Sequence, residues 1–321
     1  MDLTLLYTIV GFILASYSVI ANDSVQTLGT WIASNSEKFR WQILWAASSS
    51  ILLFTIWFGW FTNNGDISYG RLDRIPYQTV QWYHAVAPLI LVVLTRFGIP
   101  VSTTFLVLSS FASTVILEKV LMKSALGYLV AACFAYFVWV VVSKYWETKT
   151  EIPSSHDRWW RIAQWVTTGW LWFTWLSHDM ANIAVFLPRQ VPVEMMFLVS
   201  VVFVSGLAYM FYEKGGKIQE VVLSKTNTKY VRSATLVDLI YSLVLLFFKE
   251  YNNIPMSTTW VFIGLLAGRE LAFASGKTKY KFKKVFPLVA KDFYKMIIGL
   301  ALSIVIVLLI HGFAFDGLAN L

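Results

Sequence analysis

The sequence predicts an all-α integral membrane protein built from two related units of about 155 residues in inverted orientation. Three observations lead to this prediction: the composition, the long apolar runs, and short motifs that occur twice. Of the 321 residues, 57% are hydrophobic and only 14% are charged. This balance is typical of membrane proteins and differs from that of ordinary soluble domains.

Several apolar runs reach or approach the length that a helix needs to cross a bilayer. They include Ile43–Phe61, Gly127–Val142, Trp159–Leu176, Met195–Phe211 and Met296–Leu309 with its neighbours. The first apolar segment, Leu3 to Ile20, has no basic residue before it and no small-residue cleavage site after it. We therefore expect it to be a retained span and not a signal peptide. The single cysteine, Cys133, lies in an apolar run and is expected to be a small buried side chain.

A proline followed by three hydroxyl residues occurs twice, 155 positions apart. The copies are Ile99-Pro100-Val101-Ser102-Thr103-Thr104 and Ile254-Pro255-Met256-Ser257-Thr258-Thr259. Proline suits the first turn of a helix, and Ser and Thr are common caps, so each copy predicts a helix start. A helix N-terminus with hydroxyls is a ready anion site, and two of them suggest one anion held between two related halves.

A polar break at the end of an apolar helix is repeated in the same order. Asp23 follows the first span and Asp179 follows the span that ends at Leu176, and they precede Ser102 and Ser257 by 79 and 78 residues. Short apolar arms, such as Phe105–Leu117, flank each triplet and predict one helical hairpin per unit. The spacing does not decide whether these arms are re-entrant or span the membrane.

Whether the hairpin arms are re-entrant or spanning, each unit crosses the membrane an odd number of times. The second unit is therefore inserted upside down relative to the first. We predict a first repeat at 1–143, a cytoplasmic linker at 144–158 and a second repeat at 159–321. We assign the segments between spans alternately to the two sides of the membrane. Of the 26 Lys and Arg residues, 18 then lie on the same side as the linker. Five lie on the opposite side, including those of a loop expected at 118–123. The positive-inside rule then predicts a multi-pass cell-membrane protein with both termini outside the cytoplasm. The net charge of +8 is explained by this bias, and we expect no nucleic-acid partner.

Polar residues in the repeated breaks are the candidates for chemistry. A carboxylate at membrane depth is costly and usually marks an ion or proton path, so Asp23 and Asp179 are candidates for binding Na⁺ or H⁺. His178 is a candidate proton relay. Asn22, Gln26 and Asn182 can offer amide N–H groups to an oxyanion or oxygens to a cation.

Other polar residues indicate no further site. We expect Arg269 and Glu270 to be a helix-end pair or interfacial charges, and Arg96 either to pair with an anion or to reach the aqueous surface. No His, Cys or carboxylate spacing matches a zinc or protease motif, and no Gly-rich nucleotide loop follows a strand pattern. We therefore expect a protein that is not an enzyme and that uses no cofactor, apart from Na⁺ as a possible coupling ion.

The repeated motifs resemble the signatures of the PiT inorganic phosphate transporters. The segment Ala21-Asn22-Asp23-Ser24-Val25-Gln26 is similar to the first Gly-Ala-Asn-Asp-Val-Ala-Asn-Ala-like signature, and His178-Asp179-Met180-Ala181-Asn182 to the second. The two hydroxyl motifs are similar to the family's Pro-Val-Ser-Thr-Thr-His pair. The chain has His178 and Gln26 in place of Asn, and Phe105 and Trp260 in place of the final His.

The resemblance implies a secondary transporter that moves phosphate by alternating access with Na⁺ or H⁺. It implies that phosphate is held by Ser102, Thr103, Thr104, Ser257, Thr258, Thr259, Gln26 and Asn182. The coupling ion would then be bound by Asp23, Asp179, Asn22 and His178. The expected partners are an oxyanion and the bilayer, and a homodimer is left open. The alternatives are a permease for another anion such as sulfate, and a membrane sensor that binds the anion without transporting it.

Overall fold

The computed structural model describes residues 2–96, 101–146, 154–215, 219, 231–275 and 282–319. Within these ranges the chain forms helices joined by turns and loops, and no strand occurs. Six helical stretches are long and apolar enough to cross a membrane. They are Leu3–Asn35, Trp41–Thr62, Thr114–Val142, Val193–Tyr212, Val231–Tyr251 and Val285–Gly312. The predicted class, an all-α multi-pass membrane protein, is therefore confirmed.

The chain begins with one long helical rod that contains a π turn. α1 (Leu3–Ser18) continues through the π turn Val19–Asp23 into α2 (Ser24–Asn35), and α3 (Trp41–Thr62) follows. The break predicted after the first span is thus a change in the hydrogen-bond register and not an unwound segment. Such π turns are common at functional sites because they redirect side chains within an otherwise regular helix.

The first hairpin has two short arms, and the start of the entering arm lies beside the end of the returning arm. α4 (Trp82–Arg96) enters, and α5 (Thr103–Leu106) with the 3₁₀ turn Leu108–Phe111 returns. Gln78 Nε2 donates to the Phe111 carbonyl at 2.9 Å, and the His84 ring stacks on Phe111 with centroids 4.0 Å apart. Its tip, including Ile99 and Pro100, lies outside the described residues.

The return arm is shorter than predicted. The sequence suggested an arm at Phe105–Leu117, but a new helix, α6 (Thr114–Trp146), already begins at Thr114. The loop expected at 118–123 is not formed, because those residues belong to α6, a continuous helix of 33 residues. The apolar stretch from Gly127 onwards is only the later part of that helix.

The second part of the described chain contains six further helices. They are α7 (Ser154–Asp179), α8 (Ala181–Ala184), α9 (Val193–Tyr212), α10 (Val231–Tyr251), α11 (Thr258–Ser275) and α12 (Phe282–Ala319). α7, which contains the predicted span Trp159–Leu176, is not among the six apolar stretches, and it packs against α2, α3 and α10. Arg269 Nη2 donates to Ser233 Oγ at 2.9 Å, so the end of α11 lies beside the start of α10. The inverted relation of the halves and their division at 144–158 stay predictions.

Two expectations are tested where α11 packs on α6. Arg269 and Glu270 form a pair, as one of the two alternatives expected, with Arg269 Nη1 3.6 Å from Glu270 Oε1. The pair lies within α11 and is buried, with Arg269 0% and Glu270 4% exposed. They lie on a face that α6 covers, with the Arg269 guanidinium 5.5 Å from the centroid of the Trp139 ring. Cys133, expected to be buried, is exposed, because it lies on a face of α6 that α11 does not cover.

Candidate functional site

The first half of the site is built around Asp23 at the π turn. Thr103 Oγ1 donates to Asp23 Oδ2 at 2.5 Å, and Asn22 Nδ2 donates to Asp23 Oδ1 at 2.6 Å. The same Asn22 amide donates to the Val101 carbonyl at 2.9 Å, which ties the first hydroxyl motif to the helix. Gln26 Nε2 donates to Asn22 Oδ1 at 3.2 Å. Both Asp23 oxygens are therefore oriented by neighbouring side chains.

The second half repeats this pattern around Asp179 at the end of α7. Thr258 Oγ1 donates to Asp179 Oδ2 at 2.5 Å, and Asn182 Nδ2 donates to Asp179 Oδ1 at 3.1 Å. Trp175 Nε1 donates to Thr258 Oγ1 at 3.2 Å from one turn earlier in α7. In each half the middle residue of the triplet binds one carboxylate oxygen and an amide binds the other.

The serine of each triplet caps a helix, as the motif predicts. Ser102 Oγ accepts from the Phe105 N–H at 3.3 Å, and Ser257 Oγ accepts from the Trp260 N–H at 3.2 Å. α5 and α11 then begin at the next residue, so the threonines lie in the first turn. The predicted helix start at each triplet is therefore confirmed.

The two halves meet in the buried interior. Thr104 Oγ1 donates to the Met256 carbonyl at 3.3 Å, which joins the two hydroxyl motifs directly. The Thr259 side chain lies within hydrogen-bonding reach of Asp23, and the Asp23 and Asp179 carboxylates are near enough to interact through their charges. Each of the twelve predicted site residues is at most 5% exposed. The structure thus places the triplets and both carboxylates in one enclosed region, while their binding roles stay predictions.

His178 is oriented by α10. Its Nε2 lies 2.8 Å from the Leu245 carbonyl oxygen and 3.5 Å from Arg71 Nη2. Its Nδ1 has no hydrogen-bond partner among the described residues. The ring therefore lies between α10 and the loop that carries Arg71.

That loop, residues 63–81, inserts Arg71 into the interior. The Asp66 carboxylate accepts from the Ser68 and Gly70 N–H groups at 2.7 and 2.8 Å, and Tyr69 takes a left-handed φ of 56°. Arg71 is only 2% exposed, and its Nε donates to the Ser177 carbonyl at 2.9 Å. Burial lowers the pKa of Arg71 to about 10, against the opposing effect of the Asp179 and Glu250 carboxylates. The guanidinium thus keeps its charge at neutral pH.

Lys123 on α6 holds the tip of the second hairpin. Its Nζ donates to the Asn252 carbonyl and side-chain oxygens, both at 2.9 Å, and to the Ile254 carbonyl at 2.7 Å. The Ser257 N–H donates to Ser124 Oγ at 2.8 Å. The tip is therefore fixed by two consecutive residues of α6 just before the Thr258 turn.

Asp238 is a further buried carboxylate, which was not among the residues predicted from the sequence. It is 0% exposed, accepts from Thr30 Oγ1 at 2.7 Å, and accepts a short hydrogen bond from Thr168 Oγ1. These bonds connect α10 with α2 and α7. The signal was visible in the sequence, because Asp238 stands inside the apolar run of α10, but it has no twin in the first half.

The donors at the site are oxygens of carboxylates, hydroxyls and amides. Over the described ranges, no group of three or more His, Cys, Asp or Glu residues is arranged to hold a metal ion. Hydroxyl and amide oxygens around a single carboxylate are of the kind that a hard cation prefers.

Comparisons with known proteins identify a fold. Neither protein-family models nor curated proteins match this chain. A solved structure described as "The sodium-dependent phosphate transporter" is similar over 100% of both chains, with a TM-score of 0.63 and 15% sequence identity. The chain thus shares the helical fold of that transporter structure over its full length.

Proposed function

We propose that this chain is a secondary active transporter that moves inorganic phosphate, or a similar oxyanion, across the membrane together with Na⁺ or H⁺. The observation that carries the proposal is the matched pair of contacts Asp23–Thr103 and Asp179–Thr258, each 2.5 Å long and buried. Paired sites enclosed between two parts of a membrane protein suit alternating access. The likeness to a structure named for sodium-dependent phosphate transport supports the choice of substrate.

The hydroxyl triplets would bind the oxyanion. Hydroxyls for the oxyanion lie in the first turns of α5 and α11, on Thr103, Thr104, Thr258 and Thr259. Ser102 and Ser257 cap those turns. The N-terminal end of α11 adds a favourable dipole for negative charge. The Asn182 amide donates to Asp179, and the Gln26 amide donates to Asn22, the neighbour of Asp23; both would supply further N–H donors.

The two carboxylates would bind the coupling ion. Like charges that interact inside a low-dielectric region require a cation or a proton to compensate them. For Na⁺, the Asp23 and Asp179 oxygens with the Asn22 side chain supply suitable hard ligands. For H⁺, the carboxylates themselves would take the proton, and His178 would be the candidate relay. Both coupling ions remain part of the proposal.

Uptake of radiolabelled phosphate into proteoliposomes tests the proposal. The purified protein is reconstituted, and uptake is measured first under an imposed Na⁺ gradient and then under an imposed H⁺ gradient. We expect accumulation that follows one gradient and disappears when an ionophore collapses it, with protein-free liposomes as the control.

Absence of uptake under both gradients, with correctly inserted protein, would contradict phosphate symport. Labelled sulfate in the same vesicles would then test the permease alternative. Phosphate binding by the purified protein without any uptake would support the sensor alternative.

A further inference from the structure

Two neighbouring buried side chains beside Asp179 each leave one polar atom without a partner. Arg71 Nη1 and His178 Nδ1 are fully enclosed and have no hydrogen-bond partner among the described residues. The two side chains approach within 3.5 Å at Arg71 Nη2 and His178 Nε2. Buried polar atoms are normally paired, so two unpaired atoms on neighbouring side chains mark a position where a ligand could bind.

The hydrogen bond to Leu245 defines what His178 can offer. A backbone carbonyl can only accept, so the Nε2 that lies 2.8 Å from the Leu245 oxygen must carry the ring hydrogen. With its hydrogen on Nε2, the ring presents Nδ1 as a hydrogen-bond acceptor, whereas Arg71 Nη1 is a charged donor.

The loop that carries Arg71 holds the guanidinium in place. Asp66 caps the loop, Tyr69 OH donates to the Thr55 carbonyl at 2.6 Å, and Arg71 Nε is bound to the Ser177 carbonyl. Arg71, Lys123 and Lys249 all lie near enough to act on the charge of His178. This concentration of positive charge beside the Asp179 carboxylate favours an anionic ligand.

We infer that Arg71 and His178 form a recognition pair for an oxyanion that still carries a proton, such as hydrogen phosphate. The inference rests on the proposed function and names the feature that selects its substrate. Arg71 Nη1 donates to an anionic phosphate oxygen, and the phosphate hydroxyl donates to His178 Nδ1. Sulfate at neutral pH has only acceptor oxygens. The Nδ1 acceptor of His178 would then face a lone pair of a sulfate oxygen and would have no hydrogen-bond donor. A site that hydrogen-bonds a substrate hydroxyl strongly rejects an analogue without one.

Competition binding on the purified protein tests the inference. Radiolabelled phosphate is bound at neutral pH and displaced with unlabelled arsenate, which also carries a proton, or with sulfate. We expect arsenate to compete like phosphate, and sulfate to compete about 100-fold less well because it leaves a buried acceptor without a donor. Sulfate that competes as well as phosphate with the unaltered protein would overturn the inference, whatever the variants do.

Two variants of His178 isolate the acceptor. His178→Leu removes the Nδ1 acceptor and should reduce the preference for phosphate over sulfate about tenfold or more. His178→Asn keeps an oxygen acceptor near the Nδ1 position and should retain the preference. Arg71→Gln should weaken the binding of both anions. His84→Gln and Arg189→Gln are matched controls, because His84 is another buried histidine and Arg189 donates to the Ile75 carbonyl of the same loop.

The outcomes separate this inference from the proposed function. A protein that neither binds nor transports phosphate contradicts the proposed function. A protein that transports phosphate, but whose preference over sulfate is equally retained in His178→Leu and His178→Asn, contradicts the recognition pair alone.

Discussion

At the scale of single residues, the same contact is made twice from different backbone settings. Asp23 lies at a π turn within a continuous helix, whereas Asp179 lies at the end of α7. Each nevertheless accepts a 2.5 Å hydrogen bond from the second residue of a hydroxyl triplet. A short bond to an enclosed carboxylate orients one lone pair and leaves the others for a cation or a proton.

The substitution Asp179→Asn should abolish gradient-driven phosphate uptake while leaving expression and fold intact. Asparagine has nearly the same volume and still accepts from Thr258, but it carries no charge to compensate a coupling ion. Uptake into proteoliposomes and size-exclusion chromatography measure the two effects. Asp157→Asn is the control, because that partly exposed carboxylate pairs with Lys38, away from the candidate site. Normal uptake by Asp179→Asn would contradict the proposed role of the carboxylates.

The twelve candidate residues could be named from the sequence because they occur in pairs at matched spacing. Arg71 and Asp238 could not be found in the same way, since neither has a counterpart in the other half. Arg71 also stands in a polar loop, where an arginine is normally solvated. Only the fold of residues 63–81 turns it inwards.

At the scale of helices, the contact between α6 and α11 depends on two small residues. A Cβ atom on Gly264 would collide with the Tyr128 carbonyl, and one on Gly268 would collide with the Ala132 carbonyl. Small residues four apart let two helix backbones approach closely, which is a common way to associate helices within a bilayer. This contact positions α11, whose first turn carries Thr258.

The substitution Gly268→Ala should lower the thermal stability of the protein in detergent. The added methyl group meets a rigid backbone carbonyl, so the helices must separate, at a cost of about 1–3 kcal/mol. Gly312→Ala is a matched control, because nothing lies within 4 Å of a Cβ at that helical glycine. That change should be neutral or stabilise the helix by up to about 1 kcal/mol. Equal melting temperatures for both variants would contradict the close packing.

At the scale of the whole molecule, the two hydroxyl motifs form a direct bridge between the halves. The Thr104 hydroxyl reaches the Met256 carbonyl across 152 positions of sequence. If the two tips separate when the halves move against each other, we expect this bridge to open during each cycle.

A disulfide across the bridge should block transport reversibly. The variant Thr104→Cys/Met256→Cys is made in a Cys133→Ala background, because Cys133 is the single native cysteine. Because Thr104→Cys also removes a proposed phosphate ligand, uptake is compared within the double variant. Oxidation should reduce its phosphate uptake to background, and reduction should restore the level measured before oxidation, because the cross-link holds the two tips together. Each single-cysteine variant serves as a control. Full uptake by a completely cross-linked protein would exclude separation of these tips during transport.

The sequence by itself determined the membrane class, the helix starts at both triplets and the candidate residues, because composition, capping chemistry and duplication are local or periodic signals. Only the tertiary structure decided that the triplets contact each other, that α6 begins at Thr114, and that Arg269 is buried. It also decided that Arg71 reaches His178 and that Asp238 joins three helices. These features depend on which distant elements pack together. The periodicity of a single segment does not show which other helix it packs against.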